Sequence, residues 1–161
     1  APLSLNDLLR EVLGLVEHQV AKEQITIRTD LQEDLPAIAG DANQLEQAFL
    51  NIVINAWHAM PGGGTLTLRS RRSDRPRQGG RPASPGVETC ILDTGTGIAP
   101  EHMARIFDPF FTTKGVGKGT GLGLAISRRI VEDHHGSISV ATEVGRGTAI
   151  TIWLPAGEDR A

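Results

Sequence analysis

The sequence predicts an α+β fold of two layers, a mixed and mainly antiparallel sheet packed under helices. Two observations predict it. Helix-period and strand-period segments mix without the regular strand–helix–strand alternation of a parallel sheet. The helical segments also carry apolar faces broad enough to lie on a sheet. With 161 residues, 39% hydrophobic and 22% charged, the chain fits one globular domain with a sizeable core.

Ser4-Leu5-Asn6-Asp7 resembles a capping box with Asp in place of Glu. Leu5, Leu8, Leu9, Val12, Leu13, Val16 and Val20 follow at helical spacing and predict a first helix to about Ala21. Ile25-Thr26-Ile27-Arg28-Thr29 alternates and is β-branched, a strand; residues 35–40 read as a short second one. Asp41 caps a second helix reaching Met60, ended by Pro61-Gly62-Gly63-Gly64. Residues 65–70 and 87–92 are strands. Between them residues 71–85, rich in Arg, Gly, Pro and Ser, read as a mobile loop. A short helix is expected over residues 100–106 and another over 122–134, with Gly136 as its stop signal. Residues 137–142 and 148–154 form a last hairpin.

Composition excludes several function classes. A formal net charge of −3 argues against a general nucleic-acid binder. The single cysteine, Cys90, rules out an internal disulfide and fits a reducing, cytoplasmic setting. Within Cys90-Ile91-Leu92 it reads as a buried structural thiol. No apolar run approaches membrane-spanning length and no signal peptide opens the chain. Beginning at Ala1, the sequence reads as a domain excised from a longer protein.

Three stretches carry chemistry. The first, GVGKGTGLGLAIS at residues 115–127, sets glycines at alternate positions before an apolar helical pattern, with Lys114 and Lys118 among them. Glycine lets a backbone approach a ligand closely, and a helix start favours an anion. Neither a Walker loop nor a dinucleotide fingerprint fits the spacing. Taken alone, the stretch suits a ligand loop or a flexible linker equally.

The second lies on the predicted second helix. At about 100° per residue, Leu45, Phe49, Ile52, Val53, Ala56 and Met60 cover one broad face, leaving a narrow polar line of Gln44, Gln47, Asn51, Asn55 and His58. A solvated edge would explain the line, but such edges carry Lys and Glu, and asparagine is a poor mid-helix residue. Two asparagines one turn apart suggest a ligand or a metal, since an amide oxygen suits Mg²⁺.

The third is Leu92-Asp93-Thr94-Gly95-Thr96-Gly97-Ile98, a carboxylate at the end of an apolar strand followed by spaced glycines. A partly buried carboxylate needs a partner and can accept from an exocyclic amine, as adenine recognition requires; a plain strand-end turn fits nearly as well. The pattern also resembles an aspartic protease half-site. That fold is almost wholly β, whereas about half of this chain reads as helix.

These residues resemble sensor histidine kinases. Asn51-Ile52-Val53-Ile54-Asn55-Ala56, Asp93-Thr94-Gly95-Thr96-Gly97-Ile98, Ile106-Phe107-Asp108-Pro109-Phe110-Phe111 and Gly119-Thr120-Gly121-Leu122-Gly123-Leu124 occur in the order of the N, G1, F and G2 boxes. Gly145-Arg146-Gly147-Thr148 is similar to the closing G3 element. The likeness covers residues 4–155, to the catalytic, ATP-binding half of such kinases, shared with gyrase, Hsp90 and MutL ATPases, and is greatest to the nitrogen-regulation branch.

The resemblance implies a Bergerat-type sandwich with three helices over the sheet, and Mg-ATP beneath a mobile lid at about residues 109–122. It makes Asp93 the partner of the adenine amine, assisted by Thr148 through water, with Gly95, Gly97, Ile98 and Phe107 around the base. Asn55 would hold Mg²⁺, with Asn51 nearby; Lys114, Lys118 and residues Gly119, Thr120, Gly121, Leu122 and Gly123 would face the phosphates. His58 stands where many relatives carry a basic residue, which shifts more of the phosphate contact to Lys114 and Lys118. Related ATPases activate water with a glutamate one turn before the magnesium asparagine; that place here is Asn51, which is no general base. The resemblance therefore implies phosphoryl transfer to a histidine on a separate dimerisation domain, a response regulator downstream, and a monomeric fragment.

Overall fold

A computed structural model describes residues 2–75, 83–108 and 123–157. Strand β1 (Pro2–Leu3) leads into helix α1 (Leu5–Lys22), where Ser4 Oγ accepts the Asp7 N–H at 3.3 Å. Every apolar position read from the helical spacing of α1 is buried. Strands β2 (Ile25–Leu31) and β3 (Ile38–Ala39) follow, then helix α2 (Ala42–His58), whose N-cap Asp41 accepts the Gln44 N–H at 3.0 Å. Next come β4 (Gly64–Arg72), β5 (Gly86–Asp93), the single turn α3 (Pro100–Met103), α4 (Gly123–Asp133), β6 (Ser137–Glu143) and β7 (Gly147–Pro155).

Five strands form one sheet in the order β2-β4-β5-β7-β6; β2 runs parallel to β4 and the other pairs are antiparallel. Strand alternation turns Leu66, Leu68, Val87, Ile91, Ile150, Ile152 and Leu154 inward. They meet Leu9, Val12, Phe49, Ile52, Val53 and Val131 from the helices in one buried cluster. The buried Ser127 hydroxyl donates to Ala48 O at 2.8 Å, tying α4 to α2. Among the described residues no helix is long and apolar enough to cross a membrane.

Three details differ from the expected elements. Strand β3 falls within the short strand expected over residues 35–40, but β1 is unannounced: the two pair as a two-residue ribbon, Leu3 opposite Ile38, with Ile38 also bridged to Ala156, and Pro2–Leu3 is too short to show a period. The helix expected over residues 100–106 stops at Met103, and its N-cap Ala99 supplies no side-chain bond, so nothing local extends it. The expected loop at residues 71–85 begins as strand: pairing continues to Arg72 opposite Val87, and Arg75 bridges Ser84. The stem is held on the outer face of the sheet, where Trp153 Nε1–H donates to Ser73 O at 2.6 Å and the Arg75 guanidinium lies 4.7 Å from the Trp153 ring. Residues 76–82 of that loop lie outside the described residues.

Candidate nucleotide site

The apolar β5 ends on Asp93, which the register sets between Leu66 on one side and Thr148 on the other, all facing the helices. The Gly95 N–H donates to Asp93 Oδ1 at 2.8 Å. Burial pushes the Asp93 carboxyl above its ordinary value, and backbone hydrogen bonds with Gly95 and Thr148 pull it part of the way back. A desolvated carboxylate with spare acceptor capacity is suited to a ligand N–H.

The turn after Asp93 is wedged between two segments distant in sequence. On one side Thr96 N–H donates to Ala59 O at 3.0 Å, at the C-terminus of α2; on the other Gly145 N–H donates to Thr96 O at 2.9 Å. A Cβ on Gly95 would lie 2.2 Å from Ala59 O, and one on Gly97, at φ +74°, 2.4 Å from Glu143 O. Gly147, at φ +121°, crosses so close that its Cβ would come within 2.0 Å of Asp93 O. Glycine is needed here for close approach as well as conformation. The Ile98 N–H donates to Thr142 Oγ1 at 2.8 Å, joining the end of the turn to β6.

Asn51 and Asn55 lie half-buried on the polar edge of α2, in line with the exposed Gln44, Gln47 and His58. The predicted polar line is thus a real edge of the helix. Helix α4 begins beside it, with a Cβ on Gly123 falling 3.8 Å from Asn51 Cβ. Among the described residues no group of three or more His, Cys, Asp or Glu could hold a metal. The asparagine amide oxygens on this edge are hard ligands that fit a magnesium ion completed by other oxygens.

The structure therefore brings Asp93, Gly95, Gly97, Ile98 and Thr148 together at one end of the sheet. Phe107 is half-buried, its ring centroid 5.0 Å from the Arg128 guanidinium on α4. His58 is exposed, its ring 5.5 Å from that of Trp57. Lys114, Lys118, Gly119, Thr120, Gly121 and Leu122 lie outside the described residues. The motifs gave no sign of Thr142 or the Ala59 carbonyl, because both act through contacts made only on folding.

Residues 40–158 match the family described as "Histidine kinase-, DNA gyrase B-, and HSP90-like ATPase". The chain is 39% identical over 153 residues to the sensor histidine kinase ZraS of Salmonella typhi, covering 95% of this chain and 30% of that protein. It thus spans under a third of that relative. Among solved structures it is similar to the mycobacterial sensor histidine kinase MprB (TM-score 0.78, 28% identity, 96% of each chain). It is also similar to full-length ShkA in complex with AMPPNP (TM-score 0.80, 32% identity, 100% of this chain and 32% of that one).

Proposed function

This chain belongs to the histidine kinase-, DNA gyrase B- and HSP90-like ATPase family, and on that footing we propose that it is the Mg-ATP-binding catalytic domain of a sensor histidine kinase. One observation carries the reading. The half-buried carboxylate of Asp93 and the glycine turn beside it stand at the C-terminal end of the same helix that presents Asn51 and Asn55.

In this reading Asp93 accepts the exocyclic amine of adenine, Thr148 assists, and Gly95 and Gly97 let the turn close on the base beside Ile98 and Phe107. Asn55 donates an amide oxygen to Mg²⁺, with Asn51 next to it; bound there, the metal neutralises phosphate charge. The start of α4 at Gly123 offers backbone N–H groups to an anion. Lys114, Lys118 and residues 119–122, within a lid at 109–122, add charge and donors. His58, exposed on the helix edge, is a weaker candidate. These groups bind and orient the triphosphate, and positioning with charge neutralisation supplies most of the rate.

The reaction is in-line attack by an imidazole nitrogen on the γ-phosphate. It forms the N–P bond, breaks the bond to the β-phosphate oxygen, and leaves phosphohistidine and ADP. The acceptor histidine resides on a separate dimerisation domain, a response regulator takes the phosphoryl group onward, and the whole acts in the cytoplasm. Asn51 supports transfer over hydrolysis, since an amide cannot take a proton from water. The likeness to the nitrogen-regulation branch rests on the motifs alone.

The test mixes this chain and radiolabelled Mg-ATP with a supplied histidine-bearing dimerisation domain. Acid-labile phosphate on that domain is the expected result. Steady ATP hydrolysis by the chain alone would make it a water-activating ATPase, and binding without transfer a non-catalytic module.

A further inference from the structure

Helices α2 and α4 are pinned to each other at two points besides their apolar packing. The fully buried Ser127 hydroxyl donates to Ala48 O at 2.8 Å. Just past the far end of α4, the Asp41 N–H donates to His134 Nε2 at 3.1 Å, and His134 Nδ1 lies 2.8 Å from Ile130 O. A ring whose Nε2 accepts carries its proton on Nδ1, so Nδ1–H donates to Ile130 O. A Cβ on Gly40 would fall 2.4 Å from the His134 ring, so glycine is what lets this second pin close.

Apolar contacts are non-directional and tolerate a slide of one helix along another. A hydrogen bond to one particular carbonyl does not. Ser127 lies one turn along α4 from Gly123, and Ala48 lies about one turn along α2 from Asn51. The buried pin therefore fixes the register at which Gly123 comes beside Asn51, their Cβ positions 3.8 Å apart. Ser127 lies nearer that meeting point than His134 does.

We infer that Ser127 is a positioning residue for the triphosphate: by fixing the register of α4 on α2 it sets the gap between the start of α4 and the amides of Asn51 and Asn55. The inference rests on the nucleotide reading proposed above, in which those two edges hold the phosphates and their metal. Ser127 itself touches neither. A slide of α4 would leave the base end as it is, because Asp93 and Thr148 are carried by β5 and β7. It would carry the N–H donors of α4 out of line with the asparagine edge, and small misplacements of such groups are costly.

The experiment measures how much more tightly the chain binds Mg-ATP than adenosine, which keeps the base and lacks the phosphates. In Ser127→Ala that advantage should shrink by about fivefold, with adenosine affinity unchanged. Ala48 O still accepts within the α2 ladder, so the variant orphans no buried acceptor. His134→Ala removes the remote pin and should shrink the advantage less. Equal weakening of both ligands would make Ser127 a residue of the fold alone and overturn the inference. An unchanged advantage, or a larger loss in His134→Ala, overturns it too, and each leaves the nucleotide reading intact. A wild type to which the phosphates add no affinity overturns the phosphate half of that reading and the inference with it. Should Ser127→Ala melt at assay temperature, Ser127→Cys fills the same space with a weaker donor and is read by the same advantage.

Discussion

At the base end of the site an added Cβ would come within 2.2 Å of Ala59 O from Gly95 and 2.0 Å of Asp93 O from Gly147. At Gly123, beside the asparagines, it would meet nothing nearer among the described residues than Asn51 Cβ at 3.8 Å. The base end is assembled from three backbones in contact: the C-terminus of α2, the turn after β5, and the turn between β6 and β7. The asparagine end is a row of half-buried side chains on one helix edge. A Cβ added to a glycine of the first should damage the fold and binding together, whereas side-chain changes at the second should reach binding first.

The largest effect tests that contrast directly. Gly147→Ala introduces a Cβ at φ +121° against Asp93 O, and should destabilise the domain by about 3 kcal/mol or more, read by urea denaturation. A variant of near-wild-type stability would break the comparison. Asp93→Asn should lose about 2 kcal/mol of ATP affinity by calorimetry, the typical worth of a hydrogen bond to a charged group, without loss of folding stability at pH 7. The sign follows from linkage: burial holds the folded-state carboxyl above its ordinary value of 3.8, so the folded protein binds that proton more tightly than the unfolded chain. Wild-type stability from this group is therefore full below 3.8 and is lost as pH rises through the folded value. The amide removes that loss, so Asp93→Asn should gain on the wild type at pH 7 and lose the advantage on acidification.

Asn55→Ala should weaken Mg-ATP about tenfold, or ~1.4 kcal/mol, abolish the magnesium dependence of binding, and lower stability by less than Gly147→Ala does. A collapse of the fold instead would show that the helix edge is as tightly built as the turn. The smallest effect is a control. Gly14, within α1, has nothing within 4 Å of an added Cβ, so Gly14→Ala should raise stability by ~0.5–1 kcal/mol and leave nucleotide binding unchanged.

Much of the fold was legible because its elements are long enough to show a period. In α1 and α2 the positions read as apolar faces are buried without exception, and the capping residues Ser4 and Asp41 make the bonds expected of them. Gly136 shows where local reading stops. Read as the stop signal of α4, it is not the residue in the left-handed conformation; His135 is, at φ +63°. Gly136 is needed because a Cβ there would lie 2.3 Å from Trp153 O, a contact from another strand. The loop at 71–85 looked unable to bury anything, yet its stem covers Trp153. Nothing near Arg75 in the sequence announces an indole held beside it by β7.

By itself the sequence determined the order of the elements, the polar line on α2 and the carboxylate ending β5, since periodicity, capping and strand alternation depend on near neighbours along the chain. Only the tertiary structure decided that Ala59, Gly95 and Gly147 share one packed corner, and that Thr142 meets Ile98. Those relations join segments tens of residues apart, through backbone atoms every residue possesses and a hydroxyl whose partners exist only once the sheet has closed.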